Sequence, residues 1–147
     1  MKRNKKGFTL VELLAVIVVL AIIMIIAIPQ VMDSMASAKK NSLLVEARKV
    51  LNKTMEKVQV NSMESKATTG CFKITTNGTA DTDINVDTGN KYKGSVNVAA
   101  DGTYKIYITD GEYEIYDVTN SSLGNSSAAA YDSTHTDTMF AKCGSAS

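Results

Sequence analysis

Glu12 is the only acid in the run from Phe8 to Ile28, where Thr9 is the sole other polar residue and Leu13 to Ile28 are sixteen consecutive apolar ones. A carboxylate in such a setting binds cations well, because coulombic attraction grows as the dielectric falls. Near a bilayer centre an unpaired acid costs about 2.5–3.5 kcal/mol and marks function or a partner. Glu12 lies toward one end of the run, where snorkelling to the interface lowers that cost. Cys71 and Cys143 form an even count with no C-x-x-C pattern, and in an exported chain that suggests a disulfide. Closing so long a loop stabilises a fold by roughly 4 kcal/mol in the chain-entropy model.

Other chemistry-bearing residues point to less. Asp81, Asp83, Asn85 and Asp87 alternate like the start of a calcium loop, but Val86 stands where the turn glycine belongs and Tyr92 where the bidentate glutamate belongs. The same stretch reads as a polar strand or loop with Ile84 and Val86 facing inward. The single histidine, His135, sits in Ser133-Thr134-His135-Thr136-Asp137. A serine triad draws its members from separated elements, so this local cluster is not expected to catalyse. No enzyme activity, metal or cofactor is expected. Asn77-Gly78-Thr79, Asn120-Ser121-Ser122 and Asn125-Ser126-Ser127 match a glycosylation acceptor pattern that is common by chance.

The composition frames these residues. With 147 residues, 44% hydrophobic and 21% charged, the chain suits one small domain with an appendage. Of sixteen basic residues, Lys2, Arg3, Lys5 and Lys6 crowd the first seven positions; beyond them twelve basic residues face fifteen acidic ones. Phe8 to Lys66 holds seven basic and five acidic side chains, whereas Ala67 to Ser147 holds five and ten. A mildly basic stem thus carries an acidic head, and neither offers the Lys/Arg patch with stacking aromatics of a nucleic-acid binder. Basic residues stay on the cytoplasmic side of a span, so residues 1–7 are expected inside and the domain outside.

The apolar run alone admits three readings. It suits a cleavable signal ending at Ala36-Ser37-Ala38, with Lys39 as the new N-terminus. It also suits an uncleaved anchor, since Phe8 to Ile28 is long enough to span. Neither accounts for Glu12.

The third reading rests on Gly7-Phe8-Thr9-Leu10-Val11-Glu12-Leu13-Leu14. This stretch closely resembles the processing site of type IV prepilins and pseudopilins, followed by a matching apolar helix and Pro29. The resemblance implies cleavage after Gly7 by a prepilin peptidase, N-methylation of Phe8, and roles in assembly for Thr9, Glu12 and Pro29. It implies a precursor inserted in the cytoplasmic membrane with an extracytoplasmic head, and then a helical filament of identical subunits at the cell surface, built by a membrane platform and a cytoplasmic motor. The function expected is a structural subunit of a type IV pilus or pilus-like filament. The alternatives are a pseudopilin of a competence or type II secretion system, and a membrane-anchored adhesion or binding module. Many members carry a glycine midway along the apolar run; here that region has Ala21 and no glycine.

The elements that must position these residues are legible in outline. A helix is expected from Phe8 to about Ser62, kinked near Pro29. Leu43, Leu44, Ala47, Val50, Leu51, Met55 and Val58 fall at helical spacing as a core stripe. After Ala67 the period changes to two, with strands predicted at Cys71 to Thr75, Ser95 to Ala99, Thr103 to Thr109 and Glu112 to Thr119. Asp101-Gly102 and Asp110-Gly111 are hairpin signals between the last three. The fold class expected is α+β and type IV pilin-like: a long N-terminal helix, membrane-spanning in its first half and amphipathic in its second, packed on a small antiparallel β-sheet. The expected organisation is leader 1–7, transmembrane and assembly helix 8–29, amphipathic helix 30–66 and β head 67–147, with the Ser/Thr-rich stretch from Thr119 to Thr138 facing solvent.

Overall fold

The computed structural model describes residues 8–89 and 91–144. Its first element is α1, Leu10–Met63. The helix continues through Pro29, whose ring removes the N–H that would reach the Ile25 carbonyl. The chain falls into two compact units, one ending at Ser37 and the other beginning at Ala38.

In the first unit the apolar side chains of α1 lie open: Leu13 is 62% exposed, Ile17 54% and Ile25 74%. A helix that is apolar all round is unstable in water and belongs in lipid or in a protein interior. Among the described residues α1 alone is long and apolar enough to cross a membrane.

In the second unit one stripe of α1 packs on a sheet. Leu43, Leu44, Ala47, Val50 and Leu51 are buried and form one core with Phe72, Ile84, Val96, Ile106, Ile108 and Ile115. The predicted stripe is off at one position. Met55 lies at the surface while Thr54 is buried, at no polar cost, because its hydroxyl donates to the Val50 carbonyl at 2.8 Å. The end of α1 is closed by buried Asn61, whose amide donates to the carbonyls of Ala67 (2.6 Å) and Asp81 (2.9 Å).

The sheet comprises β1 (Gly70–Thr75), β2 (Asp83–Asn85), β3 (Lys93–Val98), β4 (Tyr104–Thr109), β5 (Tyr113–Thr119) and β6 (Ala129–Ala130), ordered β2-β1-β3-β4-β5-β6. The predicted meander is β3-β4-β5. Its turns carry Gly102 and Gly111 at φ of 83° and 87°, where glycine is unstrained. Asp101 and Asp110 fix the turns by accepting downstream N–H groups, those of Thr103 and Tyr113 at 2.9 and 2.8 Å.

The sheet is mixed, where an antiparallel one is predicted. β2 pairs parallel with β1, Ile74 opposite Ile84. The connecting loop, residues 76–82, is cross-tied: the Gly78 N–H donates to Thr75 Oγ1 (3.0 Å) and Asn85 Oδ1 (2.8 Å). Ile84 and Val86 face the core, 2% and 3% exposed, as the alternation predicts.

The opposite sheet face is covered too. Segment 131–144, including α2 (Asp137–Ala141), carries Phe140, which is fully buried. The ring of Phe140 meets Tyr116 edge-on at 5.6 Å and stacks on Tyr131 at 6.1 Å. Buried Ser95 donates to the Phe140 carbonyl and accepts the Cys143 N–H at 3.0 Å. Alternation along β3 to β5 therefore divides two cores, one under α1 and one under the C-terminal segment.

Candidate functional site

Thr9 is the N-cap of α1. Its hydroxyl accepts the Glu12 N–H at 3.3 Å, while its own N–H and hydroxyl each donate to Glu12 Oε2 at 2.8 Å. The Leu13 N–H reaches the Thr9 carbonyl at 3.2 Å. Together these contacts make a reciprocal capping box, with the acid in the first turn, where the helix dipole favours it. Such a cap satisfies helix N–H groups that would otherwise lack partners and so stabilises the first turn. Within the isolated subunit, then, the acid in the apolar run satisfies the start of its own helix. The T-x-x-E spelling of Thr9 to Glu12 carries this signal in the sequence, and reading Glu12 only as an intermolecular partner overlooks it.

One carboxylate oxygen stays available. Both Thr9 contacts go to Oε2, and Oε1 has no hydrogen-bond partner among the described residues. Phe8, one residue before the cap, is 91% exposed. Gly7 and the basic leader lie outside the described residues. Pro29 lies within α1. Phe8, Thr9 and Glu12 are therefore brought together at the helix start, whereas Pro29 is on the same helix about five turns on.

Cys71 and Cys143 are joined, with sulfurs bonded across a sequence separation of 72 and Cα atoms 5.8 Å apart. The bridge ties the first residues of β1 to the end of the C-terminal segment. His135 belongs to this segment rather than to a triad. Its Nδ1 lies 2.7 Å from Glu114 Oε1 and its ring stacks on Tyr116 at 3.7 Å, whereas Asp137 pairs with Lys93 at 2.5 Å. Two residues here were not legible as partners in the sequence, Glu114 and Phe140. Only an aromatic near Cys143 in a polar tail hinted at the second.

The four residues between 81 and 87 are engaged separately. Asp81 pairs with Lys66 (3.1 Å), Asp83 accepts the Ala80 N–H (2.7 Å), Asn85 holds Gly78, and Asp87 accepts the Gly89 N–H (3.1 Å). Elsewhere on the sheet Asp117, at φ 55°, accepts from Lys105 (2.9 Å) and the Tyr107 hydroxyl (2.7 Å). These two contacts, Lys105 first, hold its carboxyl below the usual range. Burial, and then the hydrogen bond to Asp117, pushes the Tyr107 phenol well above the usual range.

Comparison with known proteins bears on the N-terminal site. The family model for the prokaryotic N-terminal methylation motif matches residues 2–28. This motif is characteristic of type IV pilin and pseudopilin precursors, and it is a structural motif, not an enzyme family. It implies processing by a prepilin peptidase, and with the membrane-capable helix it indicates a membrane-anchored precursor. No curated protein and no solved structure matches the chain.

Proposed function

We propose that the protein is a structural subunit of a type IV pilus or pilus-like filament, assembled through α1. The observation that carries this reading is the capped acid Glu12 at the head of α1, whose first half exposes its apolar side chains, within a matched methylation motif. Residues 1–7 serve as leader, 8–29 as the transmembrane and assembly helix, 30–66 as the amphipathic helix and 67–147 as the head. Peptidase cleavage after Gly7 converts the Phe8 amide into an ammonium, and methylation keeps its charge. The partners are the peptidase, identical subunits, and the platform and motor of assembly.

Glu12 acts twice in this scheme. In the stored subunit it caps its own helix through Oε2, which lowers the cost of keeping an acid beside lipid. In the filament, Oε1 faces the Phe8 ammonium of a neighbouring subunit. At a lipid-excluded interface an unpaired acid is expensive and a paired one much less so, so a misplaced subunit is rejected. Pro29, by removing one helix hydrogen bond, lets α1 adjust as subunits pack.

The test is Glu12→Ala beside Glu12→Gln. Glutamine still accepts hydrogen bonds from Thr9 but has no charge. Both variants should be processed and inserted, with filament yield reduced at least about tenfold, the equivalent of about 1.4 kcal/mol per subunit contact. Wild-type yield from Glu12→Gln would show that the charge is not used. Processing without any self-association of the wild-type chain would favour the anchored binding module, and short assemblies in place of long surface fibres would favour the pseudopilin.

A further inference from the structure

Three peptide bonds of the chain join an asparagine or aspartate to a glycine: Asn77-Gly78, Asp101-Gly102 and Asp110-Gly111. Such bonds are prone to cyclise in water. The glycine nitrogen, uncrowded by any Cβ, attacks the side-chain Cγ of the residue before it. A five-membered succinimide forms; from asparagine, the side-chain nitrogen leaves as ammonia and takes up the proton that the glycine nitrogen gives up. Water then opens the ring at either carbonyl and leaves aspartate or isoaspartate. The attacking nitrogen must release its proton and turn toward Cγ, so a hydrogen bond donated by the glycine N–H opposes the reaction.

All three glycine N–H groups are held. Gly102 donates to the Ala99 carbonyl at 3.1 Å and Gly111 to Thr109 Oγ1 at 3.0 Å. Asp101 and Asp110 also keep their carboxylates on downstream N–H groups, those of Thr103, Glu112 and Tyr113. Asn77 differs. It is exposed, its side chain makes no hydrogen bond among the described residues, and an amide is a better electrophile than a carboxylate. Restraint therefore falls to Gly78, whose N–H is shared by Asn85 Oδ1 (2.8 Å) and Thr75 Oγ1 (3.0 Å), and whose carbonyl accepts from Asn85 Nδ2 (3.0 Å). Glycine is obligatory at this position, since a Cβ would overlap Asp83 Oδ2 and Thr75 Oγ1. Asp83 Oδ2 is fixed in turn by the Ala80 N–H at 2.7 Å. The loop thus needs the reactive dipeptide and carries the clamp that restrains it.

We propose that Asn77 is a deamidation site held in check by Asn85 and Thr75, and that it reacts when β2 and its loop come away from β1. The product carries an added negative charge and, as isoaspartate, one more backbone carbon, so the loop no longer refastens and the opening is permanent. The site lies entirely in the second unit and does not depend on how the subunit assembles.

The test incubates the full chain in detergent micelles at mildly alkaline pH and follows each of the three bonds by peptide mass mapping, with an isoaspartyl methyltransferase to mark isoaspartate. The folded wild type should convert Asn77 far more slowly than the same chain unfolded in urea. Asn85→Ala should speed conversion about fivefold or more, as expected for the loss of one net hydrogen bond, at Asn77 and not at Asp101 or Asp110. Where Asn85→Ala speeds all three sites, the whole head has loosened, and Thr75→Val against Thr75→Ser decides: valine should speed Asn77, and serine, which keeps the acceptor, should not. Equal rates for folded and unfolded wild type, no acceleration in Asn85→Ala, or equal rates for the two Thr75 variants would each overturn the proposal.

Discussion

At the scale of single residues, two carboxylates do unlike work. Glu12 is a charge in an apolar element, made tolerable by a cap and given an outlet by its second oxygen. Asp117 is a head carboxylate that organises a bulge, where the β4–β5 register shifts between Ile106 and Ile108. Its partner Tyr107 is 5% exposed and favours its protonated form in the folded state. The stability that Tyr107 contributes is therefore full below the ordinary tyrosine value of 10.0 and is lost as pH rises from there toward the folded value. Asp117 shows the opposite sign: its contribution is present above the ordinary aspartate value of 3.8 and is lost as pH falls through the lowered one. Thermal melts of the full chain in micelles should show a shoulder of lost stability above about pH 10, which Tyr107→Phe reduces. That variant should also lose about 0.5–1.5 kcal/mol at neutral pH with the hydroxyl's hydrogen bond. An unchanged alkaline limb would remove Tyr107 from the explanation. At this scale the sequence was informative about Glu12 and silent about Tyr107, since a tyrosine in an alternating strand does not announce which loop will cover it.

At the scale of elements, helical periodicity and Asp-Gly turns located α1 and the β3-β4-β5 meander within a few residues. What they missed has a common physical cause. Thr54 takes the core position expected of Met55 because a threonine in a helix satisfies its hydroxyl on the preceding turn. β2 joins in parallel through a loop that the side chains of Thr75 and Asn85 fasten at Gly78, contacts that no periodicity encodes. The C-terminal segment covers a sheet face whose Ser95, Thr109 and Glu114 look solvent-facing in sequence, and its burial is paid in side-chain hydrogen bonds that no pattern encodes. Its covalent anchor is testable. Replacing Cys71 and Cys143 by serine should destabilise the head by about 2–5 kcal/mol and expose Tyr116 and Phe140 first, read as loss of near-ultraviolet dichroism before far-ultraviolet signal. Simultaneous loss of both signals at the wild-type midpoint would show that the bridge does not hold the segment. Migration on non-reducing gels after thiol blocking gives an independent check.

At the scale of the whole molecule, charge and apolar surface are segregated along the chain. The stem presents an apolar helix and a mild basic excess, and residues 67–147 carry ten acids against five basic groups. In the proposed filament these opposite excesses attract between subunits, a contribution that salt screens. Raising salt from about 0.1 M to about 1 M shortens the screening length from ~10 Å to ~3 Å and should release more subunits from sheared filaments, measured by sedimentation. Filaments equally stable at both salts would assign cohesion to α1 alone. The motif match ends at residue 28, so the reading of the stem rests on a handful of residues, whereas the head's mixed strand order emerges only from strand register. The most direct measurement is the mass of the mature N-terminus in purified membranes and in sheared surface filaments. An N-methylated Phe8 in both fractions is the result the filament-subunit assignment predicts. An N-terminus at Lys39, or a retained leader at Met1, would contradict it.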